Sequence, residues 1–221
     1  MKILVLCGDK WHRAQTARDG LKPLEAAGFT FDFIEDMSAG LPDDLIPYPA
    51  IILTKINHIS PTNEQPWMTP ASASVLCRYV QEGGGLLVVH SGSVGYDSHK
   101  AFRSLLGGVF VSHPEQTSVT VELNSQHFLV SHHCSFHGKD EHYVMDMETE
   151  TKGQERKREM LLSTSSKDGV NLPGGWTREE GKGRVCVLTP GHNVEIWLEP
   201  TYQHLLRAAL QWCAGAKVDQ L

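Results

Sequence analysis

Gly83-Gly84-Gly85-Leu86-Leu87-Val88-Val89-His90-Ser91-Gly92 is the stretch that decides the fold. Three glycines stop the helical pattern that precedes them, an unbroken apolar run follows, and the run ends in a histidine and two small residues. A short apolar run bounded by turn residues is the pattern of a strand buried on both faces, as in a parallel sheet covered by helices. The sharp turn leaves His90 at the carboxyl end of that strand, where open parallel sheets gather their chemistry.

Working outward, the same pattern recurs. Ile3–Cys7 is an apolar run ended by Gly8-Asp9, Phe29–Ile34 and Ala50–Leu53 read as further strands, and Val185–Leu188 ends at Thr189-Pro190-Gly191-His192. Helical spacing fills the gaps. Ala17, Leu21 and Leu24 form a stripe over Ala14–Ala27 with Gly28 as the stop. Thr69 caps a helix that opens with Pro70 and carries Val75, Leu76, Tyr79 and Val80. A short helix spans Ala101–Leu106, and a final one starts near Pro200 with Tyr202, Leu205, Leu206, Ala209, Leu210 and Cys213 on one face. Val119, Val121 and Leu123 alternate over Ser118–Leu123, which predicts a half-exposed strand at a sheet edge or on an appended hairpin. His142–Met147 and Met160–Thr164 read as strands, and the charge run Glu148–Glu159 as a solvated turn. With no linker, repeat or low-complexity stretch, the pattern predicts one α/β domain over residues 1–221.

Composition narrows the function classes. The chain has 221 residues, with 20 Lys and Arg against 26 Asp and Glu, a net charge of −6. That balance argues against a surface that neutralises nucleic-acid phosphates. The five cysteines, Cys7, Cys77, Cys134, Cys186 and Cys213, are dispersed and make no C-x-x-C pair, which fits neither a disulfide framework nor a zinc ribbon and favours a reducing compartment. The first apolar run is too short for a signal peptide, and no stretch approaches the ~20 apolar residues of a membrane span. A cytoplasmic protein with no membrane or nucleic-acid partner is expected. Gly83-Gly84-Gly85 precedes a strand instead of following one, and neither dinucleotide nor P-loop glycine motifs occur, so no nucleotide cofactor is expected.

The surplus is in histidine, at 12 residues, a side chain that titrates near neutrality and ligates metals. His12 follows the first strand, His58 lies beyond the third, and His90 and His192 follow the fourth and the last. Parallel strands would bring these to one edge. Asp140-Glu141-His142-Tyr143 reads as a strand start, where alternation would put Glu141 and Tyr143 on one face and Asp140 and His142 on the other. A carboxylate among histidines suits either a divalent metal with an open position or a metal-free acid/base pair. His132-His133-Cys134-Ser135-Phe136-His137 lacks the glutamate of H-E-x-x-H and reads as loop histidines. No feature activates Cys134 as a nucleophile.

Taken in order, the stretch from Gly83 to Gly92, His113-Pro114-Glu115, Asp140-Glu141-His142-Tyr143, Trp176-Thr177-Arg178-Glu179-Glu180-Gly181-Lys182-Gly183-Arg184-Val185 and Gly191-His192 resemble the ThuA-like (trehalose utilisation) family over almost the whole chain. The resemblance implies a flavodoxin-like three-layer sandwich, similar to class I glutamine amidotransferases, with a mainly parallel sheet and an additional antiparallel edge strand or hairpin. In those amidotransferases the equivalent turn carries a cysteine nucleophile. Here it reads His90-Ser91-Gly92, and the G-x-S-x-G elbow is also absent.

The resemblance also implies a keto sugar or 3-keto glycoside as substrate. The expected chemistry is proton transfer next to the carbonyl, as in an isomerase or epimerase, with a small-molecule sugar as partner and homo-oligomerisation left open. His90, Glu141 and His192 are the expected catalytic set and, in a metal-assisted version, the ligands of a divalent zinc or manganese ion. His12, His58, Ser91, His113 and Tyr143 are expected to bind substrate hydroxyls, and Trp11 and Trp176 to stack on the ring. A glycoside hydrolase or lyase using the same groups, or a non-catalytic sugar-binding module, are the alternatives. The family's usual histidine-proline-isoleucine is replaced by His127-Phe128-Leu129, which implies remodelling of one site wall.

Overall fold

The computed structural model describes residues 1–130, 135–149, 158–167 and 169–217; His132, His133 and Cys134 of the histidine cluster lie outside them. The strands are β1 (Lys2–Cys7), β2 (Thr30–Ile34), β3 (Ala50–Thr54), β4 (Gly85–Val89), β5 (Gly108–Ser112), β6 (Thr117–Leu123), β7 (Phe136–Asp140), β8 (Val144–Met147), β9 (Glu159–Ser166), β10 (Asn171–Glu180) and β11 (Gly183–Leu188). The α-helices are α1 (Ala14–Leu21), α2 (Pro70–Gln81), α3 (Lys100–Leu106), α4 (Val194–Leu198) and α5 (Pro200–Cys213).

One nine-stranded sheet runs in the order β2-β1-β3-β4-β11-β10-β9-β6-β7, and β5 pairs with β8 in a separate two-stranded sheet. The first five strands are parallel and follow the flavodoxin-like order, whose switch point lies between β1 and β3. Alternation divides the strand side chains into two cores. Ile3, Val5, Ile52, Leu87 and Leu188 pack with α1, α4 and α5, while Leu4, Leu6, Ile51, Leu53, Val88 and Val187 pack with α2 and α3. Removing both faces of these strands from water is the main favourable term of the fold, and it explains why their sequences read as unbroken apolar runs. Thr69 caps α2 as its sequence predicts: Ser72 N–H donates to Thr69 Oγ1 (3.1 Å) and Thr69 N–H to Ser72 Oγ (2.8 Å).

The antiparallel portion is wider than a single edge strand or hairpin: β10, β9, β6 and β7 all lie beyond β11, and β6 sits one strand in from the edge. β10 contains Pro173-Gly174-Gly175, which reads as a turn. It pairs on both sides nonetheless, with register shifts at Pro173/Gly175 and Gly175/Trp176. A Cβ at Gly174 would stand 2.3 Å from Leu162 Cδ1, and one at Gly175 2.8 Å from Val187 O, so these glycines mark close backbone approach. Strand β8 begins at Val144, two residues later than its sequence predicts, and the Asp140-to-Tyr143 segment is a strand end followed by irregular chain. No helix among the described residues is long and apolar enough to cross a membrane.

His127 is buried on the chain between β6 and β7. Leu129 N–H donates to its Nδ1 (3.2 Å), so Nε2 carries the proton given to Thr177 Oγ1 (2.8 Å). Burial lowers its pKa to about 4. The unfolded chain therefore binds this proton more readily than the folded one. The stability contribution is full above about pH 6.5 and is lost as pH falls toward 4. Chemical denaturation of the protein and of His127→Gln tests this: the stability difference between them should shrink by about 2–3 kcal/mol from pH 6.5 to 4.5, and a difference constant across that range would overturn the assignment.

Candidate active site

The chain leaves β4 into a single 3-10 turn, His90–Ser93, and His90 has φ +48°, the one positive value among described non-glycine residues. This left-handed elbow lifts the imidazole off the end of the strand. Gly92 lets the turn lie against the end of β3, where a Cβ would stand 2.0 Å from Leu53 O. His90 Nδ1–H donates to Thr189 O (2.7 Å), a carbonyl that can only accept, and so Nε2 is the atom presented to Glu141 Oε2 at 3.2 Å.

Glu141 is the centre of the cluster. Its side chain is 10 % exposed, and it faces His90, His192 (Nδ1 to Oε1 3.0 Å) and His113 (Nε2 to Oε2 3.5 Å). Burial raises the carboxyl pKa, but His192 and His90 outweigh it and hold the group well below the usual carboxylate range. Glu141 in turn raises the pKa of His192. His192 Nδ1 is within ion-pair distance of the carboxylate yet off the line of a hydrogen bond.

His12 enters from the loop after β1, held by Asp9. This buried carboxylate accepts from Trp11 N–H (2.9 Å), His12 N–H (3.0 Å) and Ile56 N–H (2.9 Å), and from His12 Nδ1–H at 2.9 Å. Ile56 follows β3, so Asp9 ties the two strand ends at the switch point together. With Nδ1 committed to Asp9, the buried Nε2 of His12 has no partner. The His12 ring lies 5.1 Å from that of His90 and 5.0 Å from that of His192. One ligand atom from each of His12, His90, Glu141 and His192 lies within 4.8 Å of all the others.

Asp140 plays the matching part on the other side. It is buried, and its two oxygens accept from Glu141 N–H (2.9 Å), His192 N–H (2.9 Å) and Gly191 N–H (2.8 Å). Burial raises its pKa, while His90 and these three N–H groups favour the charged form. Asp9 and Asp140 are the two functional residues that histidine counting misses. Asp9 lies two residues past β1 and Asp140 ends the edge strand β7, and neither position carries a local signal of the backbone N–H groups that reach it from other segments.

The other expected site residues divide. His113 stands at the outer side of Glu141 with 34 % of its side chain exposed, its Nδ1–H donated to Pro114 O (2.7 Å). Tyr143 is buried and stacked on His90 (centroids 4.1 Å) and on His113 (5.8 Å). It therefore orients both rings, and its burial leaves little of it on the surface where a substrate hydroxyl was expected to meet it. Its placement does not come from strand alternation: residues 141–143 are irregular, and Asp140, His142 and Tyr143 are all buried. Ser91 is fully buried and Trp176 is at 0 % exposure with its indole N–H donated to Leu106 O, so neither can touch a sugar; the apolar core claims the tryptophan. Trp11 is 62 % exposed beside His12, with Lys10 Nζ 5.0 Å from its ring. His58 is half-buried on the loop after β3, outside the four-residue cluster.

Asp140→Asn would replace one acceptor oxygen by an amide N–H facing a backbone N–H. Leaving that buried donor unpaired costs about 1–3 kcal/mol, which equilibrium denaturation would read; a neutral substitution would show that the carboxylate does not hold this turn.

Comparisons with known proteins bear on the family and the fold. The family model described as ThuA, trehalose utilisation, matches residues 2–213. A putative ThuA-like protein from Parabacteroides merdae superposes with TM-score 0.76 at 20 % identity, over 100 % of this chain and 92 % of that one. A second, from Bacteroides uniformis, gives 0.71 at 25 % identity over 96 % and 91 %. A glutamine amidotransferase from Thermotoga maritima shares the fold, with TM-score 0.58 at 13 % identity over 98 % and 99 %. No curated protein matches the chain in sequence. With the family model matched from β1 to the end of α5, the chain belongs to the ThuA family.

Proposed function

We propose that the protein is a sugar-processing enzyme that moves a proton next to the carbonyl of a keto sugar or 3-keto glycoside, as an isomerase or epimerase. The observation that carries this reading is one buried carboxylate contacted by three imidazoles at the carboxyl edge of the sheet, in a family named for trehalose utilisation. Abstraction of a proton α to a carbonyl leaves an enediolate, which needs charge stabilisation on oxygen and a group to take and return the proton.

The roles follow from exposure. His12, His90 and His192 are mutually packed around Glu141 and face the position where substrate oxygens would sit. His113 has its Nδ1 proton fixed by Pro114 O, so a bare Nε2 stands 3.5 Å from Glu141 Oε2, and His113 is the most exposed of the imidazoles on Glu141. It takes the proton from carbon at Nε2 and exchanges it with water, and the Glu141 carboxylate beside that atom stabilises the imidazolium that forms. Trp11 offers an exposed ring at the rim for stacking on the sugar.

NMR of a 3-keto glucoside incubated with the protein in deuterated water tests this. Deuterium entering next to the carbonyl without cleavage is the expected outcome, and His113→Ala should slow it by about 10²–10⁴. Release of free sugar would replace this reading by a hydrolase or lyase, and binding without exchange by a sugar-binding module.

A further inference from the structure

We propose that His12, His90, Glu141 and His192 are the ligands of one divalent first-row transition-metal ion, with zinc preferred. The inference rests on side-chain geometry and is independent of the reaction proposed above. Two of the three histidines have their tautomer set from behind: Asp9 takes the Nδ1 proton of His12, and Thr189 O that of His90. Each therefore points a bare Nε2 into the same space. Metal-binding histidines are held in this way, the far ring nitrogen donating to a carboxylate or carbonyl.

The inward-facing atoms lack partners that would explain them. His12 Nε2 and His192 Nδ1 are both buried without a hydrogen bond, and a buried polar atom left so is costly. A neutral His90 would turn a lone pair toward the Glu141 carboxylate at 3.2 Å. A single cation satisfies all four groups together.

The spacing agrees. An ion bound at about 2.0–2.1 Å in tetrahedral fashion holds its ligand atoms roughly 3.3 Å apart. The two contacts to Glu141, 3.2 Å from His90 and 3.0 Å from His192, already match that edge, and the full set needs only a modest contraction from its 4.8 Å spread. Three imidazoles and one carboxylate favour zinc over magnesium or calcium, which take oxygen ligands. The four ligands come from four separate segments, so binding would also brace the loops against one another.

The test uses the full chain purified without a histidine tag, stripped with a chelator and titrated with zinc chloride against a chromophoric competitor, and in parallel with cobalt chloride. One equivalent of zinc per chain, a rise in thermal midpoint on adding it, and visible d–d absorption from cobalt are expected. His12→Gln should weaken zinc binding at least tenfold and Asp9→Asn by about 10–100-fold, while Glu64→Gln, which only removes the surface partner of Lys10, leaves it unchanged. The metal-free His12→Gln protein keeps the backbone N–H groups of residues 11, 12 and 56 on Asp9 and should still unfold in one cooperative transition, which separates lost binding from lost folding. A stripped protein whose thermal midpoint ignores zinc and manganese chlorides and which gives no cobalt spectrum would overturn the proposal, as would stoichiometric binding that both variants retain.

Discussion

The carboxylate of Asp140 is the fixed point of the site. Its two oxygens gather three backbone N–H groups from two segments about fifty residues apart in sequence, and in doing so they set Glu141 beside His192. Burying a carboxylate is costly unless its acceptors are filled. The protein fills them with the turn after β11, so the group that holds the site together is satisfied by the site's own backbone. Asp9 does the same at the switch point, binding the loop after β1 to the end of β3 and fixing the ring of His12.

These two anchors explain how groups on short loops reach a common centre with little freedom. Each histidine of the inner set is pinned from the side away from the cluster, by Asp9, by Thr189 O or through its own backbone N–H to Asp140. Tyr143 fills the gap between His90 and His113 as a stacked plate. Preorganised groups in a partly buried site interact more strongly than they would in water, which is what the proposed proton transfer would draw on.

The likeness to a glutamine amidotransferase sharpens the same point. The fold supplies a strained elbow after a central strand. In this chain the elbow residue is His90, and its left-handed backbone aims an imidazole at a buried glutamate. The scaffold is shared and the chemistry is set by side chains placed upon it.

The amino-acid sequence by itself determined the parallel half of the fold. Unbroken apolar runs such as Ile3–Cys7 and Leu86–Val89 arise only where both strand faces are buried, and Gly, Pro and Thr69 punctuate the helices between them. It also marked His90 and His192, because strand ends are visible in sequence, whereas Glu141 reads as a strand start and in fact follows β7. Tertiary structure alone decided the rest. Strands β6 and β9 show in the sequence, but β10 is hidden because it carries proline and glycine where neighbouring strands press close. That Tyr143, Ser91 and Trp176 are buried was decided by contacts from distant segments. For the same reason no local pattern could show that Asp9 and Asp140, two unremarkable aspartates, hold the histidines: a hydrogen bond between residues dozens of positions apart leaves no periodicity to read.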